Sequence, residues 1–376
     1  MDNSGRMLKI GENVRDYQLA NALEAISEDA ESFYSGDLMR DMVKDIEEAG
    51  GIINEKDFSD YSVILDENVQ EIGLDFFGVD LVIPPAPSSG ALLAYILGTY
   101  DLYNSTTSNP GTLEYQRITE IFKFAYGQRS NIADPVTNPE VEATLEQLVN
   151  KQFWQETKSK ISDVSTSQES AFYGGNYTIT EDHGTSHISV MTDTESVALT
   201  CTVNLFFGSK IKGKRSGVIF NDSMDDFSSP GIVNDFGVQP SPANFIKPGK
   251  RPQSSMTPTI ISKKEGGGKL MTVGGAGGTK ITTASALVAL NKLAFGKSLK
   301  NCVADPRIHH QLDPMILQYQ EEFDEGVVEE LASLGHVVSE YSYGSSSSPA
   351  IFFDESNGKI QAKGDNRRED CEPAGL

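Results

Sequence analysis

Cysteine is scarce in this chain: three thiols, Cys201, Cys302 and Cys371, in 376 residues. So few and so scattered, they form neither a disulfide framework nor the paired spacing of a zinc site. Long apolar runs are missing too. Mean hydropathy is -0.32, and no stretch approaches the roughly 20 apolar residues of a membrane span. Met1 to Ile10 lacks the apolar core of a signal peptide. Bases are in deficit, with 31 Lys and Arg against 54 Asp and Glu and a formal net charge of -23. Such acidity excludes nucleic acid as a partner and disfavours anionic membrane surfaces. What is present is ample material for a core: 38% of residues are hydrophobic.

The charge is unevenly placed. Residues before Thr185 hold 32 acids and 12 bases, a net of -20; the remainder holds 22 and 19, a net of -3. The chain reads as an acidic part followed by a nearly balanced one. Leu19, Leu23, Ile26 and Ala30 predict a helix over Gln18 to Phe33, stopped by Ser35-Gly36. Leu38, Met42, Val43 and Ile46 predict another over Asp37 to Ala49, ended by Gly50-Gly51. Pro84 to Gly90 reads as a rigid loop before a helix at Ala91 to Leu97. Further helices are expected over Thr112 to Tyr126 and between Asn138 and Ser162.

After a polar loop at Ser165 to Thr180, β-branched residues predict strands at Thr185 to Val190 and Ser196 to Phe207, with Ser216 to Phe220 a candidate third. Phe227 to Pro252, rich in Pro, Gly, Asn and Ser, predicts a long functional loop. Thr257 to Ser262 and Lys269 to Val273 bracket Gly266-Gly267-Gly268 as a hairpin, and Ile281 to Leu293 follows as a helix. Strands with helices before and after imply a layered α/β protein.

Several clusters offer chemistry. Gly274-Gly275-Ala276-Gly277-Gly278 lacks the spacing and the following acid of a dinucleotide site. It presents bare N–H groups to an anion or an oxyanion, or else it is a tight strand-to-helix turn. Ser254-Ser255 offers paired hydroxyls to a carboxylate, a nucleophile, or ordinary loop serines. Met224-Asp225-Asp226-Phe227 offers carboxylates to an ammonium group, or Asp caps to a turn. His309-His310 has no further metal ligands at suitable spacing and reads as structural.

Glu181-Asp182-His183-Gly184-Thr185-Ser186-His187 is the densest cluster. Triad partners meet in space rather than in sequence, so a Ser/His/Asp triad does not follow from it. Cutting the Gly184–Thr185 bond would free an α-amine beside the Thr185 hydroxyl. An α-amine titrates near pH ~8, so Thr185 would carry its own base. Gly184 would allow the backbone geometry for attack on its own carbonyl. A polar strand entry is the other reading.

Taken in order, these segments resemble one family. Gly184-Thr185-Ser186-His187-Ile188-Ser189-Val190 resembles the processing site of the γ-glutamyltranspeptidases, or glutathione hydrolases. Thr202 to Ser209, Met224 to Ser228, Pro248 to Pro252, Ser254 to Thr259, Gly274 to Thr279, Asp305 to His309 and Glu372 to Gly375 resemble the family's later motifs. The resemblance covers nearly the whole chain. It implies a four-layer αββα N-terminal nucleophile hydrolase sandwich, incomplete at its N-terminus. Self-cleavage would yield a heterodimer: a mostly helical large-subunit remnant, 1–184, and a small catalytic subunit, 185–376, headed by Thr185.

The implied activity is γ-glutamyl transfer and glutathione hydrolysis. Donors would be glutathione and other γ-glutamyl compounds; acceptors would be water, amino acids or peptides; no cofactor or metal is implied. Thr185 is the implied nucleophile and Thr202 the hydroxyl bonded to it. Gly277 and Gly278 match the oxyanion pair, Ser254 and Ser255 the hydroxyls that bind the substrate α-carboxylate, and Asn204 and Asp226 the groups that hold the α-amino end. Ser223 departs from the family, which carries Glu or Gln there as a further contact to that end. No position matches the family arginine that pairs with the α-carboxylate; it belongs, with the signal anchor, to a portion ahead of this sequence. The resemblance also implies the outer face of the plasma membrane, where Asn104-Ser105-Thr106, Asn176-Tyr177-Thr178 and Asn221-Asp222-Ser223 permit glycosylation. The competing reading is a truncated, catalytically inactive paralogue that at most binds a partner.

Overall fold

The computed structural model describes residues 6–65, 71–177, 184–232, 240–264, 268–369 and 371–375, apart from the side chain of Tyr343. Glu181, Asp182, His183, Gly266 and Gly267 lie outside the described residues. Two compact units result. One combines the chain before 66 with 205–222; the other is built from the remainder.

The first unit carries helices α1 (Tyr17–Glu28), α2 (Asp37–Glu48) and α3 (Glu55–Ser59). The helix expected over Gln18 to Phe33 is broken. Asp29 turns extended, and its carboxylate accepts from Glu31 N at 3.1 Å to start a separate 3-10 turn. Asp45 of α2 is buried and receives the Ser216 N–H at 3.1 Å, the Ser216 hydroxyl at 3.0 Å and the Arg215 guanidinium at 2.9 Å. Burial opposes its ionisation, but these donors outweigh it and hold the carboxyl below its usual range. The candidate strand at Ser216 to Phe220 reduces to one bridge, Lys212 to Ile219.

The second unit runs β1 (Glu71–Leu74), β2 (Val79–Val82), then helices α4 (Gly90–Asp101), α5 (Thr112–Arg129), α6 (Glu142–Leu148) and α7 (Lys151–Lys160). Strands β3 (Thr185–Met191), β4 (Ser196–Thr202), β5 (Thr259–Lys263) and β6 (Lys269–Val273) follow. Next come α8 (Lys280–Leu293), α9 (Leu299–Ala304), β7 (Ile308–His309), β8 (Leu317–Gln320) and α10 (Glu325–Ser333). Strands β9 (Val338–Tyr341), β10 (Ala350–Asp354) and β11 (Lys359–Lys363) complete it. The main sheet has the order β1-β2-β5-β6-β10-β11 and is antiparallel at each pairing. A second sheet is the β3–β4 hairpin, and a third is β7-β8-β9.

Helix α4 is buried at every position, so it needs no polar stripe and showed only part of its length to periodicity. Gly98 leaves room for Trp154: a Cβ there would meet the indole ring at 2.5 Å. Helices α4 and α8 pack on each other and on the main sheet, where Ile261, Met271 and Val273 join their apolar core. The β3–β4 hairpin packs against β5, β6 and β10. Its alternation leaves Thr185, His187 and Ser189 half-buried, while Ile188, Val190, Val197 and Leu199 are exposed. Strand β4 ends at Thr202 rather than Phe207, because Asn204 and Phe207 take φ of 70° and 61°, outside extended backbone.

Candidate active site

Thr185 opens β3 directly opposite Thr202, the last residue of β4. The Thr185 hydroxyl donates to Thr202 Oγ1 over a long 3.4 Å. Thr202 in turn donates to the Gly184 carbonyl at 2.5 Å and accepts the Asn204 N–H at 2.8 Å. One hydroxyl thus touches both the Thr185 hydroxyl and the carbonyl of the bond ahead of it. Gly184 has a φ of 106°, in the region that glycine alone enters without strain. Asn204 is buried two residues beyond Thr202.

Two residues into β3, the His187 ring bridges Thr200 Oγ1 at 2.8 Å and Ser189 Oγ at 3.0 Å. Burial pushes its pKa down to about 4, so the imidazole is neutral near pH 7. It packs on Gly274, where a Cβ would come within 2.2 Å of the ring. That glycine begins the loop leading to Gly277 and Gly278, which have φ of 124° and 61°. Both glycines are buried. Among the described residues, neither of their N–H groups has an acceptor. Buried N–H groups without acceptors are rare, and two in succession form a ready hole for a developing oxyanion.

The loop is backed by a run of serines. Ala276 exchanges backbone hydrogen bonds with Ser347 at 2.9 and 2.8 Å, and Ser348 Oγ donates to the Gly274 carbonyl at 3.0 Å. Asp365 accepts the Ser348 N–H at 2.7 Å and the Arg307 guanidinium at 2.7 Å, and Arg367 at 3.0 Å. Burial opposes ionisation of Asp365, yet the two guanidiniums hold its carboxyl below the usual range. Behind Gly278, Thr279 Oγ1 donates to Gln311 Oε1 at 2.7 Å, and the Tyr126 hydroxyl donates to the Thr279 carbonyl.

The remaining sites expected from sequence form a second cluster. Ser223 and Asp226 begin and end one 3-10 turn, Ser223 half-buried and Asp226 buried. The Asn244 amide donates to the Asp226 carbonyl at 2.7 Å and accepts the Gln253 N–H at 3.0 Å. It therefore ties that turn to the strand of chain bearing Ser254 and Ser255. Ser254 is half-buried and fixed through its backbone: its N–H reaches Pro87 O at 3.0 Å and its carbonyl accepts Ser89 Oγ at 2.7 Å. Ser255 is fully buried and accepts from Arg129 Nη2 at 2.9 Å. Thr282 at the start of α8 donates to the Ser255 carbonyl at 3.3 Å, so α8 links this cluster to the glycine loop. The sequence offered no arginine for this cluster; the structure places one, from the end of α5, against Ser255. Asn244, Arg129, Asp365 and Ser348 carried no local signal of their roles.

Residues 1–374 match the family described as Gamma-glutamyltranspeptidase. The chain belongs to the γ-glutamyltranspeptidase family. Among its relatives is Scoloptoxin SSD14 of Scolopendra dehaani, 38% identical over 341 residues, which span 89% of this chain and 58% of that protein. Glutathione hydrolase proenzyme 1 of Schizosaccharomyces pombe is 35% identical over 375 residues, 97% of this chain and 58% of that protein. The chain thus spans about 58% of the length of these two relatives. A cephalosporin acylase from Bacillus halodurans superimposes with a TM-score of 0.78 at 19% identity, covering 97% of this chain and 63% of the acylase. That likeness is one of fold: the two chains share an α/β architecture. For this γ-glutamyltranspeptidase family member, the Thr185 cluster occupies the motif at which the family resemblance began.

Proposed function

We propose that this chain cuts itself between Gly184 and Thr185 and then transfers or hydrolyses γ-glutamyl groups, glutathione among them. The observation that carries the reading is the Gly184–Thr185–Thr202 cluster. Thr185 Oγ1 attacks the Gly184 carbonyl carbon, the peptide nitrogen leaves, and water splits the resulting ester. Thr202, already donating to that carbonyl oxygen, supports the oxyanion. The released Thr185 α-amine is a base at neutral pH.

In turnover that amine takes the hydroxyl proton as Oγ1 attacks the γ-glutamyl carbonyl. The Gly277 and Gly278 N–H groups receive the oxyanion, and the departing amine leaves with a proton. Water or an acceptor amine then takes the glutamyl group from Thr185. In this reading Asp226 and Asn204 hold the substrate α-amino end, and Ser254 and Ser255 its α-carboxylate. Ser223, shorter and uncharged, weakens the grip on the amino end. The large part, 1–184, and the small part, 185–376, form one heterodimer from one precursor.

The test is release of the coloured amine from a γ-glutamyl anilide by the purified chain. Release that a Thr185→Ala variant lacks supports the proposal; no release by the cut wild-type chain would leave only the inactive-paralogue reading. We also place the protein on the outer face of a plasma membrane. A mobility shift on enzymatic deglycosylation, abolished by Asn104→Gln, tests that placement.

A further inference from the structure

We infer that Arg129 is a positioning residue that makes Ser255 a dedicated hydrogen-bond donor to the substrate's α-carboxylate. This rests on the proposed γ-glutamyl chemistry and names the element that selects a free carboxylate. Arg129 is the last residue of α5 and Ser255 lies 126 positions further along the chain. Both are buried, at 3% and 0% exposure.

A guanidinium can only donate hydrogen bonds. Ser255 Oγ therefore accepts from Arg129 Nη2 at 2.9 Å, and its own proton must point elsewhere. Among the described residues no acceptor takes that proton. A buried hydroxyl whose proton has no acceptor is rare in a folded protein. A carboxylate oxygen supplies the missing acceptor, and because it is charged it takes a stronger hydrogen bond than the neutral oxygen of a carboxamide. Accepting from a cation also polarises the O–H and strengthens it as a donor.

The pair is held in register from both sides. Gln253 Nε2 donates to the Arg129 carbonyl at 2.5 Å and to the Ile132 carbonyl at 2.9 Å, clamping the serine segment to the end of α5. Ser241 Oγ donates to the Ser130 carbonyl at 2.5 Å, and Thr282 holds the Ser255 carbonyl at 3.3 Å. The C-terminal end of a helix favours a cation, so the position suits a buried arginine.

The experiment uses the full chain and two substrates: L-γ-glutamyl p-nitroanilide and the same anilide with its α-carboxylate converted to the primary amide. The wild type should prefer the acid. Arg129→Met should raise KM for the acid by roughly tenfold, the scale of one hydrogen bond to a charged group, with the amide little changed. In Arg129→Met combined with Ser255→Ala, the loss should be no greater than in Ser255→Ala alone. Equal loss on both substrates, or losses that multiply, overturns the inference. If Arg129→Met lacks a cooperative thermal transition, Arg129→Lys decides: reduced selectivity for the acid supports the role, and unchanged selectivity overturns it. A wild-type chain inert towards both anilides defeats the proposed function and this inference with it; an active wild type with an unselective Arg129 variant defeats the inference alone.

Discussion

Thr202 concentrates three contacts on one hydroxyl: Thr185 Oγ1, the Gly184 carbonyl and the Asn204 N–H. Removing it should slow self-cleavage by about 100-fold, the scale of one oxyanion donor. Thr202→Ser keeps the hydroxyl and should cut at close to the wild-type rate; the time course of fragment appearance reads both. Gly277 is equally constrained. Its φ is 124°, and a Cβ would lie 2.5 Å from the Ser345 carbonyl. Gly277→Ala should cost about 1–3 kcal/mol of stability, seen in denaturant melts, and should lower turnover as the loop shifts. Thr185 and Gly277 stood out because their pattern is local, a glycine before a threonine and a glycine run before a helix; Thr202 was implied by the family resemblance alone. Arg129 and Asn244 did not stand out, since each acts on a partner that only folding brings near. An isolated Arg at a helix end and an Asn in a Pro-rich loop look like ordinary surface residues.

At the scale of elements, sequence patterns found most helices and the strands β3 to β6 but misjudged where several stop. The apolar spacing of Leu19, Leu23, Ile26 and Ala30 runs straight past Asp29, yet Asp29 caps a new turn and ends α1. Aromatic and β-branched residues after Thr202 suggested a longer β4, because propensity is blind to the positive φ at Asn204. The serine run at Ser345 to Ser348 has no periodicity or motif to mark it, although it backs the glycine loop and is fixed by Asp365. Asp365 sits between two buried guanidiniums. Asp365→Asn should destabilise the fold by about 3–5 kcal/mol, because uncompensated buried charge remains. Urea unfolding measures it; a loss well under 1 kcal/mol would mean the charges are not coupled as the distances indicate.

For the whole molecule, the proposed cleavage point and the compact units follow different lines. Strand β2, before Thr185, pairs with β5, after it, from Val79–Lys263 to Val82–Ile260. The two products should therefore elute as one particle under native conditions and separate only when unfolded. Acid should weaken that particle. Burial lowers the pKa of His309 and of His336 to about 3, that of His310 well below normal, and that of His187 to about 4. The unfolded chain takes up these protons near pH ~6.5, so stability is full above that pH and is lost as pH falls towards the folded values. The melting temperature should drop between pH 7 and pH 4.5; a flat profile would contradict neutral burial of these rings. The central claim, self-cleavage ahead of Thr185, is tested most directly by intact-mass and N-terminal analysis of the purified protein. Two polypeptides, the second beginning at Thr185, are predicted, with Thr185→Ala remaining whole. A single wild-type chain of 40.9 kDa, stable on prolonged incubation, would contradict the account.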